Sequence, residues 1–401
     1  MSIYRLNGVI QHYAWGGKQF IPQLIQKKNP NKQPFAELWM GTHVKGPSTL
    51  QVGRKEMLLR EVIKDNPRKV LGKQIIKKFG EQLPFLFKVL DVRKMLSIQA
   101  HPTKKEAAIG FAKEEASGIS RIAPNRTYRD DNHKPEVMLA LTEFWLLHGF
   151  KAIQEIQEVL ERKEFQPLQQ YFLDNNTYSL YKAIMEMPQS EVDQLLEPLA
   201  QRLPKELEED QLPKNHPDYW AAKAFNDYTI DGHYDRGIFS IYLFNLVKLK
   251  RGEGIFQDAG IPHAYLEGVN IELMANSDNV FRGGLTQKYI NVPELLKHLV
   301  FESVSPKVLV GAPISNIEKV YKTPAPDFEL SQLKISQKDI YRPKQDTSLQ
   351  IIIVIEGEGM IISNSSQIPI KPGNSFFVEP NISYKILPKS DALLFKARVP
   401  V

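Results

Sequence analysis

The sequence contains no cysteine among its 401 residues. Disulfide bonds and thiolate ligands are therefore excluded, and any bound metal must be held by nitrogen and oxygen atoms. No apolar run is long enough to span a bilayer, since the strongest one, residues 349–355, has only the length of a strand. The first residues show no charged start followed by an apolar stretch. We therefore expect no signal peptide, no membrane partner and a cytoplasmic location.

Charge of one sign is not concentrated anywhere in the chain. Lys and Arg number 52 against 46 Asp and Glu, a net charge of +6. The basic residues are scattered among acids, which is typical of solvated helix faces, and the sequence contains no recognisable DNA-reading helix. We expect no nucleic-acid partner, whereas a modest positive field favours a phosphorylated substrate.

Strand-like and helix-like patterns divide the chain into four stretches, 1–150, 151–235, 236–318 and 319–401. The first mixes short strands with helical periodicity at 56–78 and an apolar strand at 83–92. In the second, apolar residues recur at helical spacing, which predicts a helical insertion. Within it, Ser190 after Pro188 is predicted as an N-cap, and the Pro-punctuated residues 204–220 as a connector.

The last two stretches return to short strands separated by Gly and Asn-Ser turns, which is typical of a sandwich or barrel. RGEGIFQDAGIPHAY at 251–265 has the rhythm of IEGEGMII and IPIKPGNSFFVEP at 355–380, a weak internal repeat that resembles a cupin half-motif. The fold class predicted is mainly β, with cupin-like barrel or jelly-roll domains and a helical domain. Residues 319–401 contain no histidine, so we assign this degenerate cupin-like unit to packing or assembly.

Polar side chains in three segments form a candidate metal site. On a strand, Gln99 and His101 point to the same side because they are two residues apart. Glu136 ends the polar segment YRDDNHKPE, which runs directly into an apolar strand, although an isolated segment of this kind is more often a charged surface loop. His263 follows a Pro and opens a polar tract that includes Arg282.

Two histidines, one carboxylate and one amide make a nitrogen–oxygen site that suits zinc with a position left for water or substrate. The same residues also contain the two-histidine, one-carboxylate set of non-haem iron, and their spacing does not distinguish the two metals.

Two of these segments resemble a known family. YRDDNHKPE at 128–136 matches the type I phosphomannose isomerase signature Y-x-D-x-N-H-K-P-E at every fixed position, and HAYLEGVNIELMANSDNVFRGGLTQK at 263–288 resembles its second signature. PFLFKVLD, SIQAHP, YAWGG and ELWMGTH are also similar to the family. Phe281, Gly283 and Gln287 depart from the second signature beside Arg282, which bears on local loop stiffness and substrate preference.

The resemblance implies cupin-like β domains, a helical domain and one zinc ion held by Gln99, His101, Glu136 and His263. It implies reversible interconversion of mannose 6-phosphate and fructose 6-phosphate by proton transfer through an enediolate. We expect a phosphorylated hexose as substrate and a monomer or weak homo-oligomer.

Three cations are expected to serve the chemistry. Arg282 is our candidate for stabilising charge near the reacting oxygens, and a structural ion pair with Asp278 is the alternative. Lys88 lies in an apolar strand where an unpaired lysine is costly, so we expect it to face a cavity or an anionic partner and to contact substrate. An outward-facing lysine on a half-exposed strand is its alternative. Lys134 has the same expectation, with a simple ion pair to Glu136 as its alternative.

The general base is open between several groups, and Asp278 is preferred among the candidates Asp278, Glu272, His133 and Lys134. Glu272 and His133 have the alternative role of orienting metal ligands. Trp15 and Tyr265 are predicted to line the substrate pocket, with core packing as the alternative for Trp15.

Two other functions are compatible with the residues. An iron(II) cupin oxygenase explains two histidines and a glutamate, but not the accompanying glutamine, lysines and arginine. A non-enzymatic sugar-phosphate-binding cupin explains the cations, but has little need of a base.

Overall fold

The computed structural model describes residues 3–344 and 347–401, and most of its regular structure is β-sheet. The strands are β1 (Ile3–Asn7), β2 (Val9–Gln11), β3 (Glu37–Met40), β4 (Thr49–Val52), β5 (Lys55–Leu58), β6 (Phe85–Val92), β7 (Ile98–Ala100), β8 (Glu136–Ala140), β9 (Phe144–Phe150), β10 (Phe244–Leu249), β11 (Gly254–Gln257), β12 (His263–Ala275), β13 (Phe281–Gly284), β14 (Ala312–Pro313), β15 (Glu318–Tyr321), β16 (Glu329–Ile335), β17 (Gln350–Glu356), β18 (Gly359–Ser363), β19 (Gln367–Ile370), β20 (Ser375–Val378), β21 (Tyr384–Pro388) and β22 (Ala392–Arg398).

Helices occur mainly in the middle of the chain. They are α1 (Phe20–Leu24), α2 (Leu59–Asp65), α3 (Pro67–Val70), α4 (Lys73–Phe79), α5 (Lys104–Ala116), α6 (Ile153–Leu160), α7 (Thr177–Glu186), α8 (Gln189–Glu208), α9 (Pro217–Tyr228), α10 (Gly237–Leu243) and α11 (Val292–His298), with 3-10 turns at Gln166–Tyr171 and Leu173–Asn175. Across residues 3–344 and 347–401, none of these helices has the length and apolarity needed to cross a membrane.

The first sheet is organised around the 13-residue strand β12. Its main path is β10-β9-β12-β6-β3-β2, and the pairs β8–β11 and β7–β13 join it through β12. In the antiparallel register with β6, Glu272 lies opposite Lys88. We call the barrel that this sheet forms the first barrel. Because strand side chains alternate, Glu272 and Asn270 face its interior, while Ile271 and Leu273 face the other way.

The second sheet has the order β14-β15-β16-β22-β17-β20-β1-β4-β5, and β19-β18-β21 form a separate three-stranded sheet. Strands β1, β4 and β5 come from the beginning of the chain, so residues 3–58 contribute to both large sheets. The apolar run predicted at 349–355 is confirmed as β17, which is central in this sheet and almost wholly buried.

The two large sheets share one hydrophobic core. Ile271 and Leu273 of β12 belong to it together with Ile351 and Phe377 of the second sheet. This core explains why the apolar alternate residues of β12 face away from the polar interior of the first barrel. The packing joins the C-terminal unit firmly to the strand that carries His263 and Glu272.

The helical prediction for residues 151–235 is confirmed by α6 to α9, but two details were wrong. Pro188, and not Ser190, occupies the N-cap of α8. Residues 204–208 are not part of a connector, because α8 continues to Glu208 with Pro198 and Pro204 inside it. Leu196, Leu199 and Leu203 are buried, and this packing outweighs the proline penalty that suggested a break.

The internal repeat is visible in the backbone. Gly252 and Gly357 occupy matching places in the RGEG and EGEG turns, with φ of 86° and 88°. Each turn leads into a strand that begins two residues later, at Gly254 and at Gly359. Both turns therefore need the left-handed conformation that glycine adopts at little cost.

We expect Leu273→Ala to lower the free energy of unfolding by about 2–5 kcal/mol, because it leaves a cavity between the two sheets. Denaturant unfolding measures this change. Leu173→Ala is the control: this leucine is 69% exposed, so we expect a change within about 0.5 kcal/mol. Equal losses in the two variants would contradict the shared core.

Candidate active site

Three side chains from different strands converge in the first barrel. One ligand atom from each of His101, Glu136 and His263 lies within 4.8 Å of the others. The Nε2 atom of His101 is 3.6 Å from Oε1 of Glu136, and Nε2 of His263 is 3.5 Å from its Oε2. All three side chains are buried.

Strand register explains this convergence and adds Gln99. His263 lies directly opposite Gln99 where β12 pairs with β7, and Arg282 lies opposite Gln99 on its other side, where β13 pairs with β7. Directly paired residues project from the same face of a sheet. Gln99, His263 and Arg282 therefore share one face, and His101 joins them because it is two residues beyond Gln99.

The remaining ring nitrogens orient both histidines. Nδ1 of His101 lies 2.8 Å from the carbonyl oxygen of Asn279, and Nδ1 of His263 lies 2.9 Å from that of Ile261. A carbonyl only accepts, so each Nδ1 donates and each Nε2 keeps its lone pair. Within the described residues, both Nε2 atoms and Oε2 of Glu136 are buried without a hydrogen-bond partner.

The electrostatics favour a neutral imidazole beside an ionised carboxylate. Burial and the nearby Lys134 ammonium lower the pKa of His101 to about 4. Burial opposes ionisation of Glu136, but Lys134 and His101 hold its pKa well below the usual value. Lys134 lies 3.0 Å from Oε1 of this carboxylate. Deprotonated, unpartnered nitrogen and oxygen donors are what a divalent metal requires, so these residues fit a metal ion.

A second buried group lies beside this set. Lys88 Nζ is 2.8 Å from Glu272 and 3.7 Å from Glu37, and Glu37 also accepts a hydrogen bond from the indole of Trp39. Burial raises the pKa of Glu272, although Lys88 opposes this. Burial also disfavours the Lys88 ammonium, but Glu272 and Glu37 hold its pKa above the usual value. The lysine therefore stays charged between two carboxylates.

A cavity of about 660 Å³ opens beside these groups. Lys134, which touches Glu136, lines it, and so do Glu37 and Trp39, which contact Lys88. Trp15 also lines it, partly buried and stacked on Tyr13 at 5.9 Å between ring centroids. Trp15 also packs against the barrel core, so its position is compatible with both of its predicted roles.

Part of the cavity lining is cationic. Arg129, Arg282 and Lys288 all line it. Burial and the neighbouring Arg129 lower the pKa of Arg282, and burial followed by Arg282 and Lys45 lowers that of Lys288. Cations that destabilise one another in this way favour an anion between them. The sequence analysis missed Arg129 and Lys288, although both lie inside the two signature segments.

Asp278 lines the same cavity but is held by a histidine and a lysine. Its carboxylate is 3.4 Å from His43 Nε2 and 2.8 Å from Lys45 Nζ. Burial raises its pKa, yet the contacts with His43 and Lys45 lower it well below the usual range. Such a carboxylate is a weak base. The alternative ion pair between Arg282 and Asp278 is not among the contacts of the described residues.

Two other predicted residues lie away from the cavity wall. Tyr265 is buried in the barrel interior, edge-on to Phe144 at 5.4 Å, and does not line the cavity within the described residues. His133 points to the opposite side of its segment, where its Nε2 is 2.9 Å from Asp327.

Asn279 is a further residue whose importance the sequence did not show. Its side-chain nitrogen donates at 2.8 Å to the carbonyl oxygens of Asp130 and Asn132, and its side-chain oxygen accepts from the Arg129 amide. Its backbone oxygen receives the Nδ1 hydrogen of His101. One buried amide thus ties the 128–136 segment to a candidate ligand. Its place in the S-D-N run of the second signature was the available signal.

Two family models match the chain. "Phosphomannose isomerase type I, catalytic domain" covers residues 3–153, and "Mannose-6-phosphate isomerase, cupin domain" covers residues 317–384. Mannose-6-phosphate isomerase of Escherichia coli K12 is 38% identical over 386 residues, with 94% of this chain and 95% of that protein covered. The mouse enzyme is 33% identical over 429 residues, with 98% of each covered.

Solved structures agree with this similarity. A mannose 6-phosphate isomerase from Salmonella typhimurium, bound to its substrate and to zinc, is 34% identical with a TM-score of 0.88 over 100% of both chains. A zinc-bound holo form of mannose 6-phosphate isomerase has a TM-score of 0.89 over the same coverage. The cupin-like fold prediction is confirmed, and the chain belongs to the type I phosphomannose isomerase family.

Proposed function

We propose that this protein is a zinc-dependent isomerase that interconverts mannose 6-phosphate and fructose 6-phosphate. The observation that carries the proposal is the arrangement of one cavity. A cluster of cations lines it together with Lys134, and Lys134 contacts Glu136 of the set of unpartnered nitrogen and oxygen donors. A hexose phosphate fits both groups. Its carbonyl and hydroxyl oxygens at C1 and C2 can bind a metal ion, and its phosphate at C6 can bind the cations.

His101, Glu136 and His263 would hold the metal, and Gln99 is the fourth ligand that we propose, because it shares their face of the sheet. The His101 imidazole and the Glu136 carboxylate are already in the protonation states that ligands need, and Nε2 of His263 has no hydrogen-bond partner among the described residues. When bound, zinc supplies Lewis acidity toward the carbonyl and hydroxyl oxygens of the sugar. Iron, the alternative occupant suggested by the same residues, has no support from the relatives, whose structures contain zinc.

We assign the proton transfer between C1 and C2 to Glu272, with Lys88 as its partner. Glu272 is buried and shares its one lysine with Glu37, so it keeps the basicity that Asp278 loses to His43 and Lys45. Burial raises the pKa of the Glu272 carboxyl, and a carboxylate with a raised pKa is a stronger base. This assignment replaces our preference for Asp278.

The cationic wall provides the phosphate site. Besides burial, Arg129 lowers the pKa of Arg282, and Arg282 lowers that of Lys288, so a phosphate dianion between these cations relieves their repulsion. Lys134 also lines the cavity and lies against Glu136, where it contributes positive charge near the sugar oxygens. The substrate is thus oriented by its phosphate, with its reacting carbons toward Glu272.

Incubation with mannose 6-phosphate in deuterium oxide tests the function directly. We expect fructose 6-phosphate to form and to carry deuterium at the exchanged carbon, because the proton passes through a protein group that exchanges with solvent. Chelation of the metal should stop the reaction, and added zinc should restore it. Mass spectrometry and NMR follow both products, and absence of product from the zinc-loaded protein contradicts the proposal.

Glu272→Gln separates the two candidate bases. We expect kcat to fall by about 10²–10⁴-fold, because the proton acceptor is lost, while the protein still binds one zinc ion. Asp278→Asn should lower kcat by less than about tenfold, since this carboxylate acts through ion pairs. Steady-state rates and zinc content are measured on both variants. The reverse ranking would return the base to Asp278.

Lys288→Met tests the phosphate site. We expect KM for mannose 6-phosphate to rise by about tenfold or more with a small change in kcat, because a charge-assisted contact to the phosphate contributes about 1.5–3 kcal/mol. Lys297→Met is the matched control, since this lysine is 60% exposed on α11 and pairs with Glu294. The same KM for both variants would place the phosphate elsewhere.

A further inference from the structure

The C-terminal unit contacts the 128–136 segment through a charged side chain. Asp327 lies just before β16 and is 3% exposed. Its Oδ2 is 2.9 Å from Nε2 of His133, which is 194 residues away in the sequence. A buried carboxylate costs free energy unless it has a hydrogen-bond partner. Loss of the contact with His133 would therefore destabilise the fold around Asp327.

The segment that contains His133 is held on two sides. Asn132 is held on one side, because its carbonyl oxygen accepts from Asn279 at 2.8 Å and its side chain accepts from Lys104 at 2.7 Å. His133 is held on the other side by Asp327. The next residues in the chain are Lys134, which lines the cavity, and then Glu136.

The chain between His133 and Glu136 is stiff. Pro135 has a fixed φ, and the residue before a proline is restricted to extended conformations. Lys134 and Pro135 are therefore unable to absorb a displacement of His133 by rotating freely. A shift at His133 is transmitted to the Lys134 ammonium and to the Glu136 carboxylate.

We propose that Asp327 is a positioning residue, which fixes His133 and thereby sets the placement of Lys134 and Glu136 in the metal site. The C-terminal unit then contributes to the chemistry, although it contains no metal-ligating histidine. Groups that orient metal ligands typically change metal affinity by about 10–100-fold when removed. The metal-binding part of this proposal does not depend on the reaction, whereas its effect on turnover rests on the proposed function.

The test compares Asp327→Ala, Asp327→Asn and Glu379→Ala in the full-length zinc protein. Glu379 is the matched control because it is a buried carboxylate of the same unit, 2% exposed, which pairs with Lys69 and Tyr4 instead of the 128–136 segment. Zinc affinity is measured by chelator competition, stability by denaturant unfolding, and kcat and KM by the isomerase assay. The absorption spectrum of the cobalt-substituted protein reports ligand geometry.

We expect Asp327→Ala to weaken zinc binding by about 10–100-fold, to change the cobalt spectrum and to lower kcat more than it raises KM. Asp327→Asn should restore zinc affinity to within a few-fold, since its amide oxygen still accepts from Nε2 of His133. Glu379→Ala should lose stability with zinc affinity unchanged. His133→Ala combined with Asp327→Ala should weaken zinc binding no further than either change alone.

Three outcomes overturn the proposal. They are equal zinc affinity in Asp327→Ala and Glu379→Ala, absence of rescue by Asp327→Asn, and additive effects of His133→Ala and Asp327→Ala. If Asp327→Ala does not fold, the comparison of Asp327→Asn with His133→Ala decides, because only His133→Ala removes the hydrogen bond. If the unsubstituted protein has no isomerase activity but the zinc affinities of the variants change as expected, only the proposed function is contradicted.

Discussion

The structure depends on the burial of ligand atoms that have no partner within the described chain. The free lone pairs of His101 and His263 and one oxygen of Glu136 lie where water does not reach, which costs free energy unless a cation binds them. The surrounding contacts serve this arrangement. Backbone carbonyls fix both imidazoles, and Lys134 keeps the carboxylate ionised. These contacts orient the donor atoms and keep them available to bind a metal ion.

Strand β12 connects this chemistry to the stability of the fold. Its first residue is His263, and its alternate residues divide between two environments. Glu272 faces the polar interior with Lys88, whereas Leu273 packs against the second sheet. The period of two that places Glu272 beside Lys88 also places the adjacent residue in the shared core. Loss of that core would therefore displace His263 and Glu272, to which we assign metal binding and proton transfer.

Charge pairing distinguishes residues that look alike in sequence. Asp278 and Glu272 are both carboxylates of the second signature, yet Asp278 is held by His43 and Lys45, whereas Glu272 lies buried beside Lys88 and Glu136. The cations differ in the same way. Lys88 has two carboxylates, whereas Arg282 and Lys288 have mainly other cations as neighbours and are suited to a phosphate.

The sequence by itself determined the features that depend on local periodicity. The shared face of Gln99 and His101, the apolar strand β17 and the helices between residues 153 and 228 all follow from the repeat of the backbone. Its signatures also identified the family and the residues proposed to hold zinc. Only the tertiary structure decided which distant residues meet. The pairing of His263 with Gln99, of Asp278 with His43 and of His133 with Asp327 depends on strand register and sheet packing, which local spacing does not encode.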